Sequence, residues 1–435
     1  MLGLVTYGLI LVALIVGVWM RPPVAAAAVL CLYGLKQWGQ SSTTLLSDHR
    51  QFTNYAVFVL SLSALFRVAR RRSCLFCQIP STSWLILALL AYAFLSLVWS
   101  PDLETSFDQW VTQAPYIVTI TVIAPLLFCE LKDARLALIW TAMVGGLLCL
   151  LALAFGKWGA RGLLLYGDVF ENETNPLALS SLAGTVFVIA ASSLGRPNRW
   201  IMRIIAIGLM PISLAVILKS GSRGQLIASG VATLVSLPIA LRIKDVRSLA
   251  GFILAAALIL GVGSFGATLV EIDSARWQGG DPQSAVSGRF ENAQRILQAS
   301  TSSALTTVFG LGNSSSFHVI GSYPHITGLE VLAEEGLVGA MMYLGIIAFA
   351  IRSVIRISRQ EGLTDSNKNA LAMLSGLFAF ELILSWKQGT LLSSVYVFSY
   401  AIILARLENP IRSTVLQSSA PIASSPSMRF HNLLR

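Results

Sequence analysis

The chain has 435 residues, of which 55% are hydrophobic and only 12% are charged, and its mean hydropathy is +0.71. Soluble proteins carry about 25% charged residues, so this composition excludes an ordinary soluble protein and predicts an integral membrane protein. The net charge of +10 would suggest nucleic acid in a soluble chain, but basic cytoplasmic loops account for it in a membrane protein. We therefore expect no nucleic-acid partner.

Apolar segments long enough to cross a lipid bilayer recur from one end of the chain to the other. Backbone polar groups cannot stay unpaired in lipid, and these segments do not alternate apolar and polar residues as barrel strands do, so each is predicted to be helical. The predicted fold class is all-α, a polytopic transmembrane helical bundle of about 12–13 spans. The segments are 2–20, 23–38, 54–68, 83–99, 116–130, 136–155, 176–195, 201–218, 225–241, 248–268, 328–351, 370–386 and 391–405.

The positions of Lys and Arg predict the orientation, because basic loops stay in the cytoplasm. Every second loop is basic, and the loops between them are expected to face outwards. The N-terminus is outside if there are thirteen spans and inside if the first two runs form one interrupted element. The basic clusters lie at 67–72, 132–135, 196–203, 242–247 and 352–359, and the outer loops are 100–115, 156–175, 219–224, 269–327 and 387–390.

This pattern divides the chain into four parts. Residues 1–268 form transmembrane helices with short loops, and residues 269–327 form a long periplasmic loop that contains short helices. Residues 328–407 form the C-terminal transmembrane helices. Residues 408–435, rich in Ser, Ala and Pro, are predicted to be a disordered cytoplasmic tail.

Basic residues in outer loops require an explanation, and the first case is the run KSGSRG at 219–224. Arg223 at a membrane interface can simply extend to the lipid headgroups. A guanidinium is also the group best suited to bind a phosphate or diphosphate. The glycines would let such a ligand approach the backbone, and Lys219 and Ser222 could support the contact. Both interpretations remain open from the residues alone.

The second case is Arg289 in the long outer loop. Loops of about 60 residues in compact proteins are usually functional or disordered. Residues 291–299 read as an amphipathic helix with Ile296 and Leu297 on its apolar side. Taken alone, Arg289 is better explained by an ion pair with Glu291 or Asp281 on a solvated loop than by a ligand.

The third case is His325, which ends the long loop just before an apolar segment begins. Its neutral imidazole is suited to accept a proton near pH 7. Glu330 and Glu334 follow, four residues apart and therefore on one face of a helix. Carboxylates near a helix N-terminus are favoured by the helix dipole. At membrane depth they also need a cavity or a cationic partner, which the nearby arginines could supply.

Five short motifs occur in order over about residues 85–405. Together they resemble the O-antigen ligase and polymerase superfamily, integral membrane glycosyltransferases of bacterial surface-polysaccharide assembly. The chain differs from the family pattern after the histidine, where Ile326 replaces the usual Asn. The motifs are Trp99-Ser100-Pro101-Asp102, Asn175-Pro176-Leu177-Ala178, Ser220-Gly221-Ser222-Arg223-Gly224, Gly288-Arg289, and the set His325, Leu329, Glu334, Gly336 and Gly339.

The resemblance implies a glycan on undecaprenyl diphosphate as donor and an inner-membrane enzyme with a periplasmic active site. It implies that Arg223 and Arg289 bind the diphosphate and stabilise its charge as it leaves. His325 would accept the proton of the acceptor hydroxyl, with inversion at the anomeric carbon. Glu334 or Glu330 would orient His325 or bind the acceptor. Since no Asp-x-Asp motif lies in an outer loop and a lipid diphosphate needs no nucleotide, we expect no metal and no cofactor.

Two reactions of this kind fit, and we expect the ligase reaction, with the polymerase reaction as the alternative. A ligase transfers the glycan to the lipid A core, whereas a polymerase transfers it to another lipid-linked glycan of an O-antigen or exopolysaccharide. A protein of another class, a transporter of small anions such as bicarbonate, would instead distribute charges along a path between helices at mid-membrane. The ionisable residues of this chain concentrate at the outer face.

Overall fold

A computed structural model of the protein describes residues 2–71, 79–159, 163–165, 175–194, 200–241, 250 and 282–418. The described chain is helical, with one isolated bridge between Trp158 and Leu163. The helices are α1 (Leu2–Met20), α2 (Val24–Leu30), α3 (Leu32–Ser42), α4 (Thr44–Asp48), α5 (Phe52–Arg71), α6 (Ser81–Leu95), α7 (Leu103–Tyr116), α8 (Ala124–Leu126), α9 (Leu131–Phe155), α10 (Pro176–Ser193), α11 (Trp200–Lys219), α12 (Arg223–Leu241), α13 (Pro282–Ser300), α14 (Ala304–Phe309), α15 (Ser316–Ile320), α16 (Thr327–Glu334), α17 (Gly336–Ser358), α18 (Asp365–Gln388) and α19 (Val395–Ser418).

Seven of the described helices are long and apolar enough to cross a membrane, and the all-α polytopic fold class is confirmed. Other predicted spans are broken. The segment 23–38 is divided at Cys31 into α2 and α3, and the segment 116–130 contains a π-helix, Ile117–Ile123, before α8. The segment 248–268 lies outside the described residues apart from residue 250.

The first two apolar runs cross the bundle in opposite directions. Near the end of α1, the Val18 carbonyl accepts a hydrogen bond of 2.8 Å from Arg67 Nη1, close to the end of α5. At the start of α1, Gly3 lies against Ser42 at the end of α3. The N-terminus therefore lies on the face where α3 ends. Because Gln37 Nε2 of α3 donates to the Asn175 carbonyl at 2.8 Å, this face also carries the start of α10.

The face that carries Asn175 is called the loop face below. It also contains the turn between α11 and α12, since the Lys219 ammonium lies 5.5 Å from the centre of the Trp158 ring in the segment between α9 and α10. The helices α12, α17 and α19 run away from this face, and α18 ends at it.

Small residues and buried hydroxyls let α10, α12 and α18 pack closely at the centre. A Cβ at Gly376 of α18 would lie 2.8 Å from Val188 of α10 and 2.9 Å from Ser236 of α12. Ser192 Oγ donates to Ser236 Oγ at 2.9 Å, and Asn369 Nδ2 donates to the Ser192 carbonyl at 2.6 Å. Close backbone approach and interhelical hydrogen bonds hold membrane helices together where lipid removes the hydrophobic driving force.

The apolar segment predicted from residue 328 does not form one helix. The chain breaks after Glu334, where Gly336 has φ +63° and approaches the Val308 carbonyl. A side chain at this position would meet backbone, which explains why glycine stands here. The spanning helix α17 thus starts at Gly336, and α16 with its glutamates precedes it. At the other end of the chain, α19 continues to Ser418, so residues 408–418 of the predicted tail are helical.

Candidate functional site

A tight turn on the loop face joins α11 to α12. Gly221 has φ +65°, a conformation that glycine adopts without strain, and its N–H bonds to the Leu218 carbonyl at 3.0 Å. The Ser222 carbonyl accepts the first hydrogen bond of α12, from Leu226 at 3.2 Å. Arg223 is therefore the first residue of α12, and its side chain is exposed. The sequence predicted Arg223 at a membrane boundary. Its cation adds to the partial positive charge at the N-terminus of α12.

The start of α12 packs against the end of α18. Gln225 Nε2 donates to Gln388 Oε1 at 3.2 Å, and the Ser222 hydroxyl donates to Gln225 Oε1. Gly224 has no side chain, and the aliphatic stem and ammonium of Lys387 occupy the space beside it. Lys387 is a second cation next to Arg223 that sequence reasoning missed. Its position in the outer loop 387–390 that the sequence predicts was the available signal.

His325 precedes α16 in an unusual backbone conformation. Its φ is +61°, a region that residues other than glycine adopt rarely and mostly at constrained sites. The preceding Pro324 is buried, and the imidazole ring lies 4.2 Å from the ring of Tyr323. Tyr323 in turn packs against Phe317 of α15 at 6.3 Å. The ring of His325 is thus half-buried and held on one side by an aromatic neighbour.

Hydrogen bonds attach α16 to the same end of α18 that α12 contacts. Thr327 Oγ1 donates to the Ser385 carbonyl at 2.8 Å and lies 3.1 Å from Ser394 Oγ. Glu330 Oε1 accepts from the Leu391 N–H at 3.1 Å. His325 stands two residues before Thr327. The structure therefore brings the segments that carry Arg223 and His325 together at the loop-face end of α18.

Arg289 lies on α13, which packs against α15 and α16. The amphipathic helix predicted over 291–299 is part of α13, and its apolar residue Ile296 is fully buried. The Arg289 side chain lies outside the described part of the chain, so the predicted contact with a diphosphate stays a prediction. The helix that carries it borders the segment that carries His325.

Three buried carboxyl groups lie on α16 and at its C-terminal boundary, with Glu330, Glu334 and Glu335 exposed by 4%, 1% and 0%. Glu334 accepts hydrogen bonds from the Ser314 N–H at 2.6 Å, the Ser316 N–H at 3.0 Å and Ser316 Oγ at 2.5 Å. The sequence suggested arginines as partners of Glu330 and Glu334. The partners that the structure describes are instead backbone amides and a serine hydroxyl.

Burial dominates the titration of these groups. Loss of hydration raises the pKa of Glu334 to about 7, and the hydrogen bonds from Ser316 and Ser314 oppose this rise. Burial raises the pKa of Glu335 to about 8, against a hydrogen bond from Asn313. The pKa of Glu330 is raised first by burial and then by the charge of Glu334. At neutral pH the cluster carries less negative charge than three free carboxylates would.

The loop face carries cations and an imidazole, whereas the three carboxyl groups are buried in the protein. A bound phosphate would meet Arg223 and Lys387 at the N-terminus of α12, where the helix dipole also favours an anion. No group of three or more His, Cys, Asp or Glu side chains suited to a metal ion occurs among the described residues. The Lys219 ammonium lies over the Trp158 ring, 5.5 Å from its centre.

No protein-family model matches the chain, and no curated protein sequence matches it. The resemblance carried by the five motifs and its functional implications therefore stay predictions.

Proposed function

We propose that the protein is an inner-membrane glycosyltransferase that transfers a glycan from undecaprenyl diphosphate to an acceptor hydroxyl at the periplasmic face, as O-antigen ligases and polymerases do. The observation that carries the proposal is the meeting of the segments of Arg223 and His325 at the end of α18, through Gln225 with Gln388 and Thr327 with Ser385. The reaction requires a cation that stabilises the charge of the leaving group and a base that accepts the proton of the attacking hydroxyl.

In the proposed reaction the acceptor oxygen forms a bond to the anomeric carbon while the bond from that carbon to the diphosphate oxygen breaks. The diphosphate keeps the electron pair, and Arg223, Arg289 and Lys387 stabilise its developing charge. His325 takes the proton of the acceptor hydroxyl. Glu334 and Glu330 act indirectly, by holding α16 in place behind His325. Glu334 accepts a hydrogen bond from the Ser314 N–H, and Glu330 accepts one from the Leu391 N–H.

A small-anion transporter is less well supported. One small cavity among the described helices measures about 20 Å³, and its lining includes Glu381, Tyr33 and Tyr396. A carboxyl group supplies no positive charge with which to bind an anion. The cations Arg223 and Lys387 lie at the loop face.

Alanine variants test the proposal in a host strain that lacks the gene. Arg223→Ala, Arg289→Ala and His325→Ala should each abolish glycan transfer at an unchanged amount of membrane-inserted protein. Arg359→Ala, which removes the same charge from an exposed position at the opposite end of α17, should leave transfer unchanged. Normal product in all three site variants would refute the proposal.

The glycans of the deletion strain distinguish the two reactions. Intact lipid-linked polymer beside a bare lipid A core would assign a ligase. Accumulation of single lipid-linked repeats would assign a polymerase. Band patterns of surface glycans on a gel give this result directly.

A further inference from the structure

An open cleft of about 780 Å³ lies beside the proposed site on the loop face. Tyr92 and Trp99 form one wall at the outer end of α6, Leu305 and Phe309 of α14 form the second, and His318 of α15 forms part of the third. Its volume falls within the range of roughly 300–1,000 Å³ that is usual for small-molecule sites. Among the described residues, none of the proposed donor site lines this cleft.

The aromatic wall is fixed in place. The Tyr92 hydroxyl donates to the Phe309 carbonyl at 2.9 Å, which ties α6 to α14 across the cleft. The Trp99 ring lies 6.2 Å from the Tyr92 ring and is 42% exposed. Rings held in this way present rigid apolar faces at low entropic cost, as ligand sites require.

The third wall carries polar groups. His318 is exposed, and the Ser315 hydroxyl in the same wall is buried without a hydrogen-bond partner among the described residues. The hydrogen bond from Thr105 is the main cause of the lowered pKa of Asp102, and His318 makes a smaller contribution. A hydrocarbon chain in the cleft would strip water from this polar edge, which is unfavourable.

The cleft is joined to His325 by two short elements. On α15, His318 lines the cleft while the adjacent Phe317 packs toward Tyr323, the neighbour of His325. The end of α16 supports the cleft floor, because the N–H of Leu311 bonds to the Ala333 carbonyl at 3.0 Å. The eight residues of α16 correspond to a length of roughly 12 Å, so an extended ligand can reach from the cleft to His325.

We propose that this cleft binds the saccharide part of the acceptor, with Trp99 and Tyr92 stacking on the apolar faces of its sugar rings and His318 hydrogen-bonding its hydroxyls. The inference rests on the proposed glycosyltransferase function. Neutral sugar rings combine apolar faces with polar edges; the lining is mainly apolar and aromatic, and Ser315 and His318 supply polar groups at one wall. The lining contains no Lys or Arg among the described residues, which disfavours the diphosphate of the donor in this cleft.

Kinetics of the full-length protein in nanodiscs test the inference. The probes are the host's own lipid-linked glycan as donor and the host's own acceptor glycolipid. Trp99→Ala should raise the KM for the acceptor about tenfold, the loss of one aromatic contact, with kcat and the donor KM little changed. Trp99→Phe should restore most of the affinity, and Phe52→Ala, an exposed aromatic on α5 of the same face, serves as the control. A rise in the donor KM alone would overturn the inference.

Photocrosslinking identifies the molecule that occupies the cleft without relying on catalysis. A benzoylphenylalanine in place of Leu305, which is 71% exposed at the rim, should give sugar-containing adducts in the host membrane. An adduct with lipid hydrocarbon only, or no adduct above that of the same group at position 52, would overturn the inference. If Arg223→Ala and His325→Ala both remain active, the proposed function fails instead, and the crosslinks still report the occupant of the cleft.

Discussion

Replacing Thr327 by valine removes one hydroxyl without changing the shape of the side chain. Thr327 is fully buried, and its Oγ1 donates to the Ser385 carbonyl at 2.8 Å. Neither partner is left unsatisfied, because the Ser385 carbonyl also accepts from Gly389 at 3.3 Å and Ser394 Oγ donates to the Thr390 carbonyl at 2.7 Å. We therefore expect a loss of about 1 kcal/mol in the free energy of unfolding, the net value of one hydrogen bond.

The same change should affect catalysis more than stability. Thr327 attaches the start of α16 to α18. The position of the proposed base His325, two residues earlier, depends on that attachment. Loss of the contact should lower kcat about tenfold, since small displacements of catalytic groups are costly. Transfer assays and thermal unfolding in detergent measure the two effects.

Thr327→Ser is the matched control. It keeps the hydroxyl and removes a methyl group, which destabilises the buried site by about 1 kcal/mol. The two variants should therefore unfold at similar temperatures, while only Thr327→Val loses activity. Equal kcat in both variants would contradict the role assigned to this hydrogen bond.

Further predictions concern the backbone, the carboxyl cluster and the turn. Gly336→Ala should prevent accumulation of folded protein, because the φ of +63° at Gly336 and the nearby Val308 carbonyl exclude a side chain. Gly230→Ala is the control, since Gly230 is a helical position with open space around it, and this variant should fold normally. Blots of membrane fractions compare the amounts of the two variants. Thermal stability in detergent should fall as pH rises from about 4.5 through 8, since a raised folded-state pKa, about 8 for Glu335, means that the folded protein binds the proton more tightly. Glu335→Gln should flatten this profile, and an unchanged slope would contradict the assignment. Lys219→Met removes the cation 5.5 Å from the Trp158 ring and should raise the donor KM a few-fold with kcat retained; a fall in kcat alone would argue against a binding role.

The sequence predicted the broad architecture because lipid leaves few choices. Runs of apolar residues must be helical in a bilayer, and the described spans confirm this. The breaks were harder to predict, since they depend on tertiary contacts. Gly336 stands in an apolar run, and only its approach to Val308 in another segment shows why the helix must restart there.

The candidate site shows the same limit. Arg223 and His325 were noticed because basic and titratable residues in outer loops are unusual. Their convergence on α18 could not be predicted, because it depends on contacts such as Gln225 with Gln388 between residues 163 positions apart. The partners of Glu334 were mistaken for arginines, since a sequence does not reveal that the backbone amides of Ser314 and Ser316 are directed at it.

Release of polyprenyl diphosphate by the purified protein tests the central claim most directly. The full-length chain in nanodiscs is mixed with lipid-linked glycan and acceptor in the presence of a metal chelator, and the lipid products are separated by chromatography. The proposed reaction should yield free undecaprenyl diphosphate in an amount equal to the glycan gained by the acceptor, and His325→Ala should yield none. An intact donor after prolonged incubation, or equal release by the His325→Ala variant, would contradict it.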